Sequence, residues 1–155
     1  MTPLFKKLNF KQHNEILILS SPAEFEAELN AMKDSTTIKT DIKDISEIEF
    51  VLTFIKMRTE IDTLTPFIDK KLRGDGIVWF AYPKRTSGQY KAEINRDKGW
   101  DMLGKSGFEA VRQVSIDDDW SALRFRKVEF IKAMNRRTDF AMTKEGQAKT
   151  RPAGH

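Results

Sequence analysis

The chain has 155 residues, 39% hydrophobic and 32% charged, a globular mixture long enough to bury a core without covalent staples. It contains no cysteine, which excludes disulfides, thiolate metal sites and cysteine nucleophiles together. The net charge of +4 is uneven: residues 15–69 carry 12 acids against 5 bases, whereas residues 124–155 carry 9 bases against 3 acids.

The opening MTPLFKKLNF has lysines but no apolar run of signal-peptide length, and no later run is long enough to span a bilayer. With the missing cysteines, this predicts a cytoplasmic protein with no membrane partner. Residues 15–20 then form a short apolar run that reads as a buried strand. Ser21-Pro22-Ala23-Glu24 follows with the pattern of a capping box, Ser21 as cap and Glu24 three residues on. Phe25, Leu29 and Met32 continue at helical spacing.

Thr36 to Ile42 alternates and predicts an edge strand, and Glu49 to Ile55 predicts a strand covered on both faces. Met57, Ile61, Leu64, Ile68 and Leu72 mark one face of a helix, in which Pro66 predicts a kink or a split. Gly74-Asp75-Gly76 reads as a break before another buried strand, Ile77 to Tyr82. Lys84 to Glu93 is a polar loop. Asn95 to Leu103 predicts a short helix ended by Gly104. Phe108–Ile116 and Ser121–Val128 alternate on either side of Asp117-Asp118-Asp119 and predict a hairpin.

Strand–helix alternation followed by a hairpin predicts a three-layer, Rossmann-like α/β domain over residues 1–140. Its sheet would be mostly parallel, of about six strands, with a C-terminal antiparallel hairpin. Residues 141–155 read as a flexible basic tail. Trp100 and Trp120 are expected at a surface patch, which suggests a homodimer through the hairpin.

In such a sheet, ligands bind beyond the carboxyl ends of the strands. That rule selects Ser20 and Ser21 after the first strand, Lys56-Met57-Arg58 after the third, and Tyr82, Lys84 and Arg85 around the end of the fourth. Ser20, Ser21, Tyr82, Lys84 and Arg85 are the candidate ligand-binding set, with an anion at Ser21 and the two bases closing over it. No catalytic or metal residue stands out. The first turn, Ser-Ser-Pro, lacks the glycines that let backbone approach a nucleotide, so no cofactor is expected. Asp41 lies about twenty residues on, where a ribose-binding acid would stand. Without those glycines it reads as a surface strand-end residue. The chain has only two histidines, His13 and His155, and His13 reads as a surface residue. Asp117 to Asp119 read as a turn rather than a cation site. Arg136, Arg137 and Phe140 have the chemistry to grip a nucleic-acid backbone, but no recognised motif accompanies them.

Two motifs carry a resemblance: Gly76-Ile77-Val78-Trp79 through Pro83-Lys84, and Asp119-Trp120-Ser121-Ala122-Leu123-Arg124. They resemble a small bacterial family of unknown activity, in which a G-x-[IVL]-W strand ending in Pro-Lys precedes a D-W-[ST]-x-x-R hairpin. The order of elements also resembles the Rossmann-like methyltransferases, with the glycine-rich cofactor turn missing. The leading expectation is a non-catalytic binding or protein-interaction module. The alternatives are a site for a small anionic metabolite at the strand carboxyl ends, and weak nucleic-acid binding through the basic C-terminus.

Overall fold

The computed structural model describes residues 1–131. Arg136, Arg137, Phe140 and the tail expected over 141–155 lie outside the described residues. Among the described residues, six strands form one sheet: β1 (Glu15–Leu19), β2 (Thr37–Lys39), β3 (Ile48–Phe54), β4 (Leu72–Pro83), β5 (Phe108–Ser115) and β6 (Trp120–Lys127). Their order is β2-β1-β3-β4-β6-β5. The pairs β1·β2, β1·β3 and β3·β4 are parallel, and β6 runs antiparallel to both of its neighbours. The expected three-layer α/β architecture with a C-terminal hairpin is the architecture found, with β6 inserted between β4 and β5.

Period-two alternation in the central strands sends side chains to two separate cores. Ile77, Trp79 and Ala81 face a layer with α1 (Pro3–Lys7) and α2 (Glu26–Met32), whereas Val78, Phe80 and Tyr82 face α3 (Arg58–Lys71) and α4 (Asp101–Lys105). Trp79 and Phe80, adjacent in sequence, are both 0% exposed on opposite faces. No described helix is long and apolar enough to cross a membrane.

Five sequence expectations change. The Gly74-Asp75-Gly76 break lies within β4: between the pairs Ile48↔Leu72 and Phe50↔Ile77, β3 advances by two residues and β4 by five. Glycine permits this bulge, because Gly74 has φ +53° and a Cβ on Gly76 would meet the Ile48 carbonyl at 3.0 Å. Pro66 is carried inside the single helix α3 without splitting it. The helix expected over 95–103 begins only at Asp101 and contains Gly104, after a turn at Asn95–Lys98. Trp100 and Trp120 are 4% and 1% exposed, so neither offers the expected surface patch. His13 is half-buried against the rings of Phe10 and Phe50, and that burial lowers its pKa.

Candidate functional site

The chain leaves β1 for β2 on one side and β3 for β4 on the other. The carboxyl ends of β1 and β3 therefore flank the point where strand order reverses, and a crevice opens between them. It is a cleft of about 530 Å³ lined by Ser20, Ser21, Glu24, Phe54, Lys56, Glu60, Tyr90 and Trp120, among others. Ser20 forms its lip with φ +57°, a left-handed conformation that an L-residue adopts at a cost of about 1–2 kcal/mol.

Aromatic packing makes the wall. Phe54, at the end of β3, meets Trp120, at the start of β6, edge to face with centroids 5.0 Å apart. Tyr90, from the loop after β4, lies 5.0 Å from Trp120. Glu24 ties the wall to the turn after β1: its Oε1 accepts from the Tyr90 hydroxyl at 2.7 Å and from the Trp120 Nε1–H at 3.4 Å. The Tyr90 hydrogen bond is the main reason the Glu24 carboxyl sits below its ordinary pKa, and the same bond raises the Tyr90 phenol. Loss of this contact is therefore expected as pH falls through the lowered Glu24 pKa, and again as Tyr90 ionises.

The capping box read at Ser21 is not formed. Pro22 precedes the first helical turn with no side-chain cap, and Glu24 has turned to Tyr90. A carboxylate cap forms instead at α3. Glu60 Oε1 accepts from the amides of Lys56 and Met57, both at 2.9 Å, and Glu93 Oε1 accepts from the Arg58 amide at 2.7 Å. The N-terminus of α3 is thus filled by the protein's own carboxylates.

The five residues selected from the sequence do not come together. Ser20 and Ser21 line the cleft. Tyr82 is 4% exposed on the other face, where its ring packs on Trp100 and its hydroxyl accepts from Gln113 Nε2 at 2.9 Å. Lys84 donates to Ser115 Oγ and to the Asp117 carbonyl, both at 2.6 Å, and so is bound into the hairpin. Arg85 is exposed and does not line the cleft. Lys56 does line it, with its ammonium 5.1 Å from the centre of the Tyr90 ring. The strand-end rule marks Lys56, but no local signal marks Glu24, Tyr90 or Trp120 as its neighbours. Asp117 makes a tight turn, its Oδ1 accepting from the amides of Asp119 and Trp120 at 2.8 Å. Among the described residues, no cluster of three or more His, Asp or Glu is arranged to hold a metal.

Among solved structures, the chain is similar to a protein assigned as a type 11 methyltransferase from Sulfolobus solfataricus. The TM-score is 0.53 at 13% identity, covering 81% of this chain and 90% of that one. A fibrillarin pre-rRNA processing protein from Methanococcus jannaschii gives a TM-score of 0.49 at 12% identity, covering 76% and 67%. A phosphoethanolamine N-methyltransferase from Haemonchus contortus gives 0.49 at 12% identity, covering 74% and 33%. The first likeness establishes an α/β Rossmann-like methyltransferase fold, and fold alone. No protein-family model matches the chain, and no curated protein matches it in sequence. The two motifs of the bacterial family therefore remain a resemblance.

That fold implies a nucleoside methyl donor, S-adenosylmethionine, and the residues present do not fit it. The turn after β1 carries the side chains of Ser20, Ser21 and Pro22 where close approach of a nucleoside to backbone needs glycine. No residue of β2 or its end lines the cleft. Asp41, the acid nearest a ribose position, is exposed and turned back onto the Lys43 amide at 2.9 Å.

Proposed function

We propose that the chain is a small-molecule binding domain built on a methyltransferase fold, taking a compact organic anion in the cleft between β1 and β3. The observation that carries this reading is how the cleft's polar groups are used. Glu24 and Glu60 are spent on internal hydrogen bonds. The Lys56 ammonium lies over the Tyr90 ring and also acts on the Glu24 carboxylate, but it makes no side-chain hydrogen bond among the described residues, and neither do the hydroxyls of Ser20 and Ser21. A carboxylate placed between them would gain a charge-assisted hydrogen bond from Lys56 and two from the serines. The aromatic wall of Phe54, Tyr90 and Trp120 would take the apolar part of the ligand.

A second reading, a methyltransferase, is favoured by the extent of the likeness to the Sulfolobus solfataricus protein. Titration calorimetry separates the two, using the full chain with succinate, 2-oxoglutarate and S-adenosylhomocysteine as probes. The binding-domain reading expects saturable binding of a carboxylate that weakens by about tenfold or more in Lys56→Met. Binding of S-adenosylhomocysteine, with no response to either carboxylate, would transfer the conclusion to the methyltransferase.

A further inference from the structure

Away from the cleft, one face of the hairpin gathers arginine. Arg112 on β5 stands directly across from Arg124 on β6, and Arg126 lies two residues further along the same face. Like charges directly opposite on neighbouring strands repel. Arg126 is neutralised: its Nε and Nη2 reach the Asp75 carboxylate at 2.6–3.0 Å. Among the described residues Arg112 finds only an amide, donating to Asn9 Oδ1 at 3.2 Å. Glu109 sits across from Arg126, is buried, and is already engaged.

Arg124 differs from both. It makes no hydrogen bond or ion pair among the described residues, and its Nε is closed off from solvent without a partner. It pairs in register with Trp79, which is fully buried. Burial and the nearby Arg126 lower its pKa, Asp75 offsets part of that, and Arg112 adds to the lowering. Arg124, half-buried across from the exposed Arg112, has no carboxylate of its own, the nearby Asp75 being hydrogen-bonded to Arg126. We propose that Arg112 and Arg124 form a binding site for a phosphate-class oxyanion. The planar fork of each arginine offers paired N–H groups to two oxygens, a geometry suited to phosphate. Arg124 is four residues along β6 from Trp120, roughly 13 Å from the cleft, so the two sites are separate.

The test is NMR observation of the arginine Nε–H signals of the full chain during titration with sodium phosphate, with ionic strength held constant by chloride. A saturable shift at Arg124 is expected. Arg124→Gln and Arg112→Gln should each weaken phosphate binding by about tenfold or more. Arg124→Lys should weaken it too, because it keeps the charge but loses the fork. Arg73→Gln, on an exposed arginine paired with Glu47 and Glu49, should leave it unchanged. Glycerol phosphate serves as a second probe: tighter binding than inorganic phosphate assigns the site to a phosphate monoester, and weaker binding assigns it to the free ion. The proposal is overturned if Arg124 shows no saturable shift, or if a folded Arg124→Gln binds phosphate as the unaltered chain does.

Discussion

The ends of β1 and β4 both carry a polar strand terminus, yet they are put to opposite uses. At β1, Ser20 and Ser21 open onto a cleft, and their hydroxyls make no hydrogen bond among the described residues. At β4, Lys84 is held by two hydrogen bonds, and its amide donates to the Asp119 carbonyl at 2.7 Å. The difference comes from topology. β1 and β3 send their connections in opposite directions and leave a crevice, whereas β4 lies beside antiparallel β6, whose own turn arrives at that end and fills it. A strand end becomes a binding place only where the neighbouring chain departs.

Trp120 belongs to both ends, lining the cleft and standing across from Pro83. Trp120→Ala is therefore the most damaging change expected. It removes a 1%-exposed ring with aromatic contacts to Phe54 and Tyr90, a loss of about 3–5 kcal/mol by chemical denaturation. A loss below about 1 kcal/mol, the level of a surface change, would mean that the ring does not join the two ends.

Lys84→Met separates the ends. It should cost about 1 kcal/mol, since its two hydrogen bonds are charge-assisted but exposed to solvent. It should leave carboxylate binding in the cleft intact. Lys56→Met should do the reverse, losing the ligand with little change in stability. If Lys84→Met abolished binding while the chain stayed folded, the division between a spent end and an open end would fail.

The strands were legible because each carries its own pattern: a continuous apolar run for Ile77–Tyr82, and alternation for the hairpin. Helix α1 was not, because five residues are too few to show a period. What holds it is tertiary: Phe5 and Leu8 are fully buried, and the Trp79 Nε1–H donates to the Leu8 carbonyl at 2.8 Å. The capping box misled for a similar reason. Ser21 and Glu24 have the right types at the right spacing, but Tyr90, sixty-six residues away, takes the carboxylate. Half of the candidate site followed from strand-end geometry, through Ser20, Ser21 and Lys56. The other half, Tyr90 and Trp120, is delivered by a loop and a turn whose destinations no local pattern encodes.

The smallest expected effect addresses the strain at Ser20. Its φ of +57° costs a serine about 1–2 kcal/mol, whereas glycine there loses about 0.5–1 kcal/mol through the entropy of the unfolded chain. Ser20→Gly should therefore stabilise the fold by about 0.5–1 kcal/mol and raise the melting temperature. It should also weaken carboxylate binding, because a cleft hydroxyl is gone, which is the usual exchange of stability for function at a strained site. A less stable Ser20→Gly would show that the hydroxyl anchors the turn internally. The contrast between the ends of β1 and β4 would then rest on Ser21 and Lys56.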